Sequence, residues 1–175
     1  MPDERSGYGL PMMWRRSTPS VLRSLGSPVL GYAHLEDGRL MGVYKDFFAI
    51  AQPDDNSSHV LTHEWIEVAS ARWDQPTCQL HFSFIDSSVP TLTVTVCSGQ
   101  SEDIAPLIHE RVDSSFFWRQ RQKLPSGVEA VFMIRSGKKS RLSIQALYDK
   151  TPSAEDEKAI ASMHERMRDL ANIRD

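Results

Sequence analysis

The sequence predicts an α+β fold built on antiparallel strands. Three observations carry that reading. Short apolar runs alternate with period two from Val29 to Cys97. Turn-forming residues, above all Asp37-Gly38, separate those runs at short intervals. Two stretches with helical spacing follow the strand-rich part, one after position 100 and one at the C-terminus.

Composition bounds the rest. A chain of 175 residues, 40% apolar and 25% charged, can bury one core and matches one domain. Twenty basic against 23 acidic residues give a net charge of -3. Such a chain has no global attraction for nucleic acid or anionic membrane, so either would need a local patch. Apolar stretches such as Phe47 to Ala51 fall far short of the roughly 20 residues that span a bilayer. Arg15-Arg16 is followed by Ser17-Thr18-Pro19-Ser20 where a secretory or twin-arginine signal would place an apolar core, so a cytoplasmic location is expected. Cys78 and Cys97 are too few for a disulfide scaffold or a cysteine-rich zinc module. The strand register that buries Leu80 and Val94 turns Cys78 inward and Cys97 outward, so no bridge between them is expected.

Residues 1–27 read as an N-terminal tail, in which Met12, Met13 and Trp14 could dock and Val21, Leu22 and Leu25 are spaced as a short helix. Residues 28–175 read as one domain, with a barrel-like core over 28–120 and a hairpin-helix extension over 121–175. In the core, strands are predicted over Val29–Glu36, Arg39–Tyr44, Phe47–Gln52, around Val60-Leu61, and over Ala69–Asp74, Cys78–Ile85 and Thr91–Cys97. Asp37-Gly38 suits a two-residue hairpin turn with positive φ at both positions. Met41, Val43, Phe48 and Ile50 then share one face, as do Leu80, Phe82 and Phe84 with Leu92, Val94 and Val96. A helix follows, capped by Ser101 or Asp103, with Ile104, Leu107, Ile108, Val112 and Ser115 on one face and its end within Phe116–Arg121. The extension is a hairpin turning at Gly137-Lys138-Lys139, pairing Phe132 with Ile144 and Ile134 with Leu142. A final helix starts at Thr151-Pro152-Ser153 and carries Ile160, Met163, Met167 and Leu170 on its docking face.

Seven short strands and then an amphipathic helix resemble the layout of a pleckstrin-homology-like antiparallel β-barrel. Val29–Ala33, Asp37-Gly38-Arg39, the run from Trp65 to Asp74, Arg111–Ser115 and Tyr148-Asp149 resemble a family of small uncharacterised actinobacterial proteins over roughly Pro28 to Lys150. That family implies a fold and no activity. Two departures stand out. Tyr44 and Phe47 occupy the second turn, where such hairpins carry Thr and Arg. The first loop is Glu36-Asp37-Gly38-Arg39, without the Lys and Arg cluster of phosphoinositide-binding members.

Chemical motifs are scarce. His63-Glu64-Trp65-Ile66-Glu67 begins like a zinc-protease helix, but Glu67 stands where the second histidine is needed. His59 and His63 with Asp54 and Asp55 make only a weak metal set. No nucleophile elbow, P-loop or dinucleotide fingerprint occurs, so no catalytic residue, metal or cofactor is assigned. Trp65 and Trp73 suit a core, whereas Trp14 and Trp118, each followed by Arg, suit a partner surface. One local feature points to a ligand class. Between Arg111 and Arg141 lie eight basic residues against Asp113 and Glu129. Arg111, Arg119, Arg121, Lys138, Lys139 and Arg141 are its candidate anion- or partner-binding residues, with Arg119 and Arg121 expected beside the Lys138-Lys139 turn. The expected function is a non-enzymatic binding module engaging a protein partner. Alternatives are a nucleic-acid or phosphate-binding protein using the basic 111–141 segment, or an unrecognised hydrolase or metalloprotein.

Overall fold

Asp37-Gly38 does close the first hairpin, but through a longer turn than a two-residue one. Only Gly38 has positive φ, at 86°. Its N–H donates to Leu35 O at 3.0 Å and Leu35 N–H donates to Arg39 O at 2.9 Å. That is a three-residue loop whose last residue is left-handed, so a glycine is required once, at position 38. The Asp37 carboxylate braces it, accepting from Arg39 N–H and Nε.

In a computed structural model, the described residues are 18–53, 59–99 and 101–172. A one-turn helix α1 (Ser20–Arg23) leads into β1 (Val29–His34), β2 (Leu40–Tyr44), β3 (Phe47–Ala51) and β4 (Leu61–Glu64), an antiparallel sheet in that order. A 3-10 turn (Trp65–Glu67) leads to β5 (Val68–Asp74), β6 (Gln79–Phe84) and β7 (Leu92–Thr95), a second antiparallel sheet. Met41 lies opposite Ile50 and Val43 opposite Phe48, while Leu80 lies opposite Val94 and Phe82 opposite Leu92, which is the register the alternation predicts. Met12, Met13, Trp14, Asp54 and Asp55 lie outside the described residues.

The seven strands do not close into a barrel. Among the described residues the two sheets remain separate and meet through an isolated bridge, Leu35 to Val96. Between them lies one apolar core, in which Phe48 stacks on Phe82 at 4.7 Å and packs against Trp65 at 5.3 Å. Helix α2 (Ser101–Ser114) covers it with Ile104, Ile108 and Val112.

The helix ends at Ser114, earlier than expected, because the residues from Phe116 onward pair as a strand with the later segment Glu129–Ser136. Phe116, Trp118, Gln120 and Gln122 alternate with the more exposed Phe117, Arg119, Arg121 and Lys123 along β8 (Phe116–Lys123). With β9 (Glu129–Ser136) and β10 (Leu142–Tyr148), β8 forms a third antiparallel sheet in the order β10-β9-β8. The expected hairpin is therefore a three-stranded sheet that begins at Phe116. Its turn also differs: Ile144 lies opposite Ile134 and Phe132 opposite Ala146. Gly137 N–H donates to Arg141 O at 2.8 Å and Ser136 lies opposite Leu142, which makes the connection two residues longer on the far side than the predicted pairing. The slip is two residues, so each side chain keeps its face.

Helix α3 (Glu157–Ala171) lies on β9 and β10, burying Met163 and Met167 against Phe132 and Ile134. Leu170, expected in that contact, is exposed. Asp156 fixes the helix start. Its buried carboxylate accepts from Ser126 N–H and Oγ at 2.9 and 2.6 Å and from Ser153 N–H at 2.9 Å. Desolvation would raise its pKa, but these bonds together outweigh it and hold it below the usual value.

Candidate functional site

The six basic residues singled out by the sequence fall into three places. Arg119 and Arg121 lie on β8, opposite Met133 and Val131 of β9. At about 3.3 Å per residue, those positions lie roughly 17 and 23 Å along β9 from the turn at Lys138. They are not beside it, because β8 is a strand running away from the turn rather than a helix end. Lys138 and Arg141 face acidic neighbours. Arg141 Nη2 is 3.6 Å from Glu64 Oε2, and Lys138 shares a shallow depression with Asp46, Glu64 and Glu67. Arg111 and Lys139 converge on a cleft.

That cleft, about 240 Å³, lies where the first two sheets and α2 meet the third sheet. Lys45 joins Arg111 and Lys139 in lining it, with Asp46, Ser114, Ser115, Ser136 and Ser140. Lys45 is held by its neighbours: Trp65 N–H donates to Asp46 O at 3.0 Å and Trp65 Nε1 to Tyr44 O at 2.9 Å. A lone lysine in a two-residue turn far upstream carries no sequence signal, so the basic-segment reading could not include it. Gly137 brings the other wall close. A Cβ there would come within 2.9 Å of Ile66 Cδ1. Lys139 and Ser140 follow with left-handed φ of 57° and 58°, a conformation costing about 1 kcal/mol or more for each side-chain-bearing residue.

Behind the cleft sits Arg135, fully buried on β9. Its Nη1 donates to Val68 O at 2.9 Å and its Nη2 to Trp65 O at 2.5 Å. Nε and Nη2 also donate to Ser115 Oγ at 3.0 and 2.6 Å, and that hydroxyl donates in turn to Val112 O. The Phe116 ring lies 4.0 Å from the guanidinium. One side chain thereby ties the third sheet to the 3-10 turn, β5 and the end of α2. Among the described residues no carboxylate pairs with it. Burial pushes its pKa down to about 10, with the charge of Arg119 adding to the effect. Arg111, at the cleft wall, bonds through Nη2 to Glu110, while its Nε is buried without a hydrogen-bond partner among the described residues.

The histidine set reads differently. His63 is packed between Phe84 at 4.3 Å and Phe48 at 5.5 Å, with Nδ1 3.4 Å from Glu67 Oε2. His59 is exposed, and its expected acidic companions are outside the described residues. Among the described residues no group of three or more His, Cys, Asp or Glu could hold a metal ion. Cys78 and Cys97 are both free thiols, and both are only partly buried.

The remaining surface feature is β8 itself, an edge strand. Arg119, Arg121 and Lys123 follow one another on one face, and Phe117 stands at a bulge with 58% of its surface exposed. Trp118 is half-buried on the opposite face, with Arg166 of α3 6.0 Å above its ring.

No family model matches the chain, and no curated protein does. Among solved structures it is similar to the FERM and C-terminal domain complex of Drosophila Merlin, with 15% identity and a TM-score of 0.39. The match covers 50% of this chain and 29% of that one, and at this level it carries no argument about function. Among the described residues no helix is long and apolar enough to cross a membrane.

Proposed function

We propose that the chain is a non-enzymatic binding module of pleckstrin-homology-like design that engages an acidic, extended segment of a protein partner along β8. Four antiparallel strands, three antiparallel strands and a covering helix support that design, as does the resemblance to small actinobacterial proteins. The edge of β8 is the observation that carries the partner reading. It is eight residues long and borders the third sheet, so the main chain on its outer side has no strand partner among the described residues. An added strand would take up those backbone groups. Arg119 and Arg121 form no ion pair among the described residues. A basic edge repels a second copy of itself and accepts carboxylates, which sets the charge of the incoming strand.

The test is fluorescence anisotropy with a labelled peptide of alternating Glu and Val. Replacing both arginines (Arg119→Glu with Arg121→Glu) converts two attractions into two repulsions. At about 0.5 kcal/mol for each of the two attractions lost and each of the two repulsions gained, the loss is about 2 kcal/mol, or roughly thirtyfold in affinity. Equal binding by the double variant would refute the reading. Preference for a single-stranded oligonucleotide over the peptide, with a salt slope near −0.7 per phosphate contacted, would replace it with the nucleic-acid alternative.

A further inference from the structure

We propose that the cleft bounded by Lys45, Arg111 and Lys139 is a binding site for a compact phosphate dianion, either inorganic phosphate or the phosphate group of a small monoester. This site goes beyond the partner surface on β8 and shares no residue with it.

Charge is the first argument. Lys45, Arg111, Lys139 and the buried Arg135 stand against Asp46 and Glu110, four cations to two carboxylates, which leaves a surplus of two positive charges. Buried charges in proteins are ordinarily paired with an opposite charge, whereas Arg135 is held by carbonyls, one hydroxyl, the Met133 sulfur and the Phe116 ring, with no carboxylate among the described residues. The Ser115 hydroxyl is fully engaged, accepting from Arg135 and donating to Val112 O, and it lines the cleft. An anion in the cleft would therefore sit one side chain away from a buried guanidinium that has no carboxylate partner among the described residues, and would be attracted to it.

Donor supply is the second argument. Arg111 Nε is buried with no acceptor among the described residues. The hydroxyls of Ser136 and Ser140 make no hydrogen bond among the described residues, although both line the cleft. With the two ammonium groups, these donors exceed what the two oxygens of a carboxylate can use and suit the larger oxygen set of a phosphate. Size is the third. At about 240 Å³ the cleft is smaller than the roughly 300–1,000 Å³ of pockets for drug-sized ligands, and its lining is mainly polar.

The experiment measures thermal stabilisation and ³¹P line broadening on adding inorganic phosphate or phenyl phosphate near neutral pH, against acetate at matched ionic strength. Binding of the wild type is expected to raise the melting temperature with phosphate and not with acetate, because a ligand that binds only the folded state stabilises it. Lys45 and Lys139 are exposed, so K45A/K139A should fold normally by circular dichroism, and its phosphate affinity should fall about tenfold or more. R121A, changed on a different face, should bind phosphate like the wild type. Co-sedimentation with phosphatidylcholine vesicles containing phosphatidic acid, lost in K45A/K139A, would assign the phosphate to a lipid headgroup. Phosphate binding without co-sedimentation would assign it to a soluble ligand. No difference between phosphate and acetate, or equal phosphate affinity in wild type and K45A/K139A, would overturn the proposal.

Discussion

Arg135→Ala should be among the most destabilising single substitutions in this protein, and the structure allows its size to be worked out. The change strips donors from Val68 O, Trp65 O and Ser115 Oγ. Hydrogen bonds to a charged donor are worth about 2 kcal/mol each, so three buried acceptors set a gross loss near 6 kcal/mol. Lost packing of the stem and of the guanidinium on Phe116 adds about 1–2 kcal/mol. Against this, removing the side chain abolishes its desolvation. The lowering of its pKa by burial, down to about 10, corresponds to roughly 3 kcal/mol. The net expectation is about 4 kcal/mol, or about 8–16 °C in Tm for a chain of this length. Urea unfolding followed by far-ultraviolet circular dichroism and tryptophan fluorescence measures it, since Trp65 is buried at the clamp. A double-mutant cycle with Ser115→Ala should give a coupling of about 1–2 kcal/mol. A loss below about 1 kcal/mol for Arg135→Ala would refute the view that this residue joins the third sheet to the rest.

Tyr44→Phe should change how stability depends on alkaline pH. Burial raises the Tyr44 phenol from 10.0 to about 12, and its hydroxyl donates to Leu22 O at 2.7 Å. With a folded pKa above the unfolded one, the contribution is fully present below pH 10 and is lost as pH rises through 12. The amount is about 2–3 kcal/mol. The depressed Arg135 acts in the opposite sense in the same window, so the difference between wild type and Tyr44→Phe isolates the phenol; equal pH profiles would contradict its burial. Met163→Asp should cost about 3 kcal/mol by placing an unpaired charge between α3 and the third sheet. An unchanged melting temperature would mean that α3 does not contribute to the fold's stability.

Period-two alternation made strands such as β6, with Leu80, Phe82 and Phe84 buried and His81 and Ser83 less so, legible, whereas β2 and β3 are buried on both faces, the second face beneath Leu22 of α1. Met41, Phe48, Leu80, Phe82 and Val94 are all buried as their positions required. The helix after position 100 was equally plain in Ile104, Ile108 and Val112. Its end was not, since Phe116 to Lys123 holds three aromatics and five polar residues that fit either the face of a helix or an edge strand. Pairing with β9, a non-local contact, decided the matter. The turn at Lys138 misled for a related reason. Hairpin register depends on loop geometry, and the left-handed Lys139 and Ser140 lengthen a turn that the glycine alone suggested was tighter.

The basic segment shows where sequence stops. By itself the chain determined the antiparallel α+β class, the apolar faces and a local excess of positive charge, because these follow from composition and spacing along the backbone. Tertiary structure alone decided how that charge is used. It sent Arg119 and Arg121 to one sheet edge, set Lys138 and Arg141 beside carboxylates, buried Arg135 with no counter-ion among the described residues, and added Lys45 to Arg111 and Lys139. Electrostatic sites depend on distances through space, and a strand or a turn can separate neighbours in sequence by tens of ångströms while joining residues far apart in the chain.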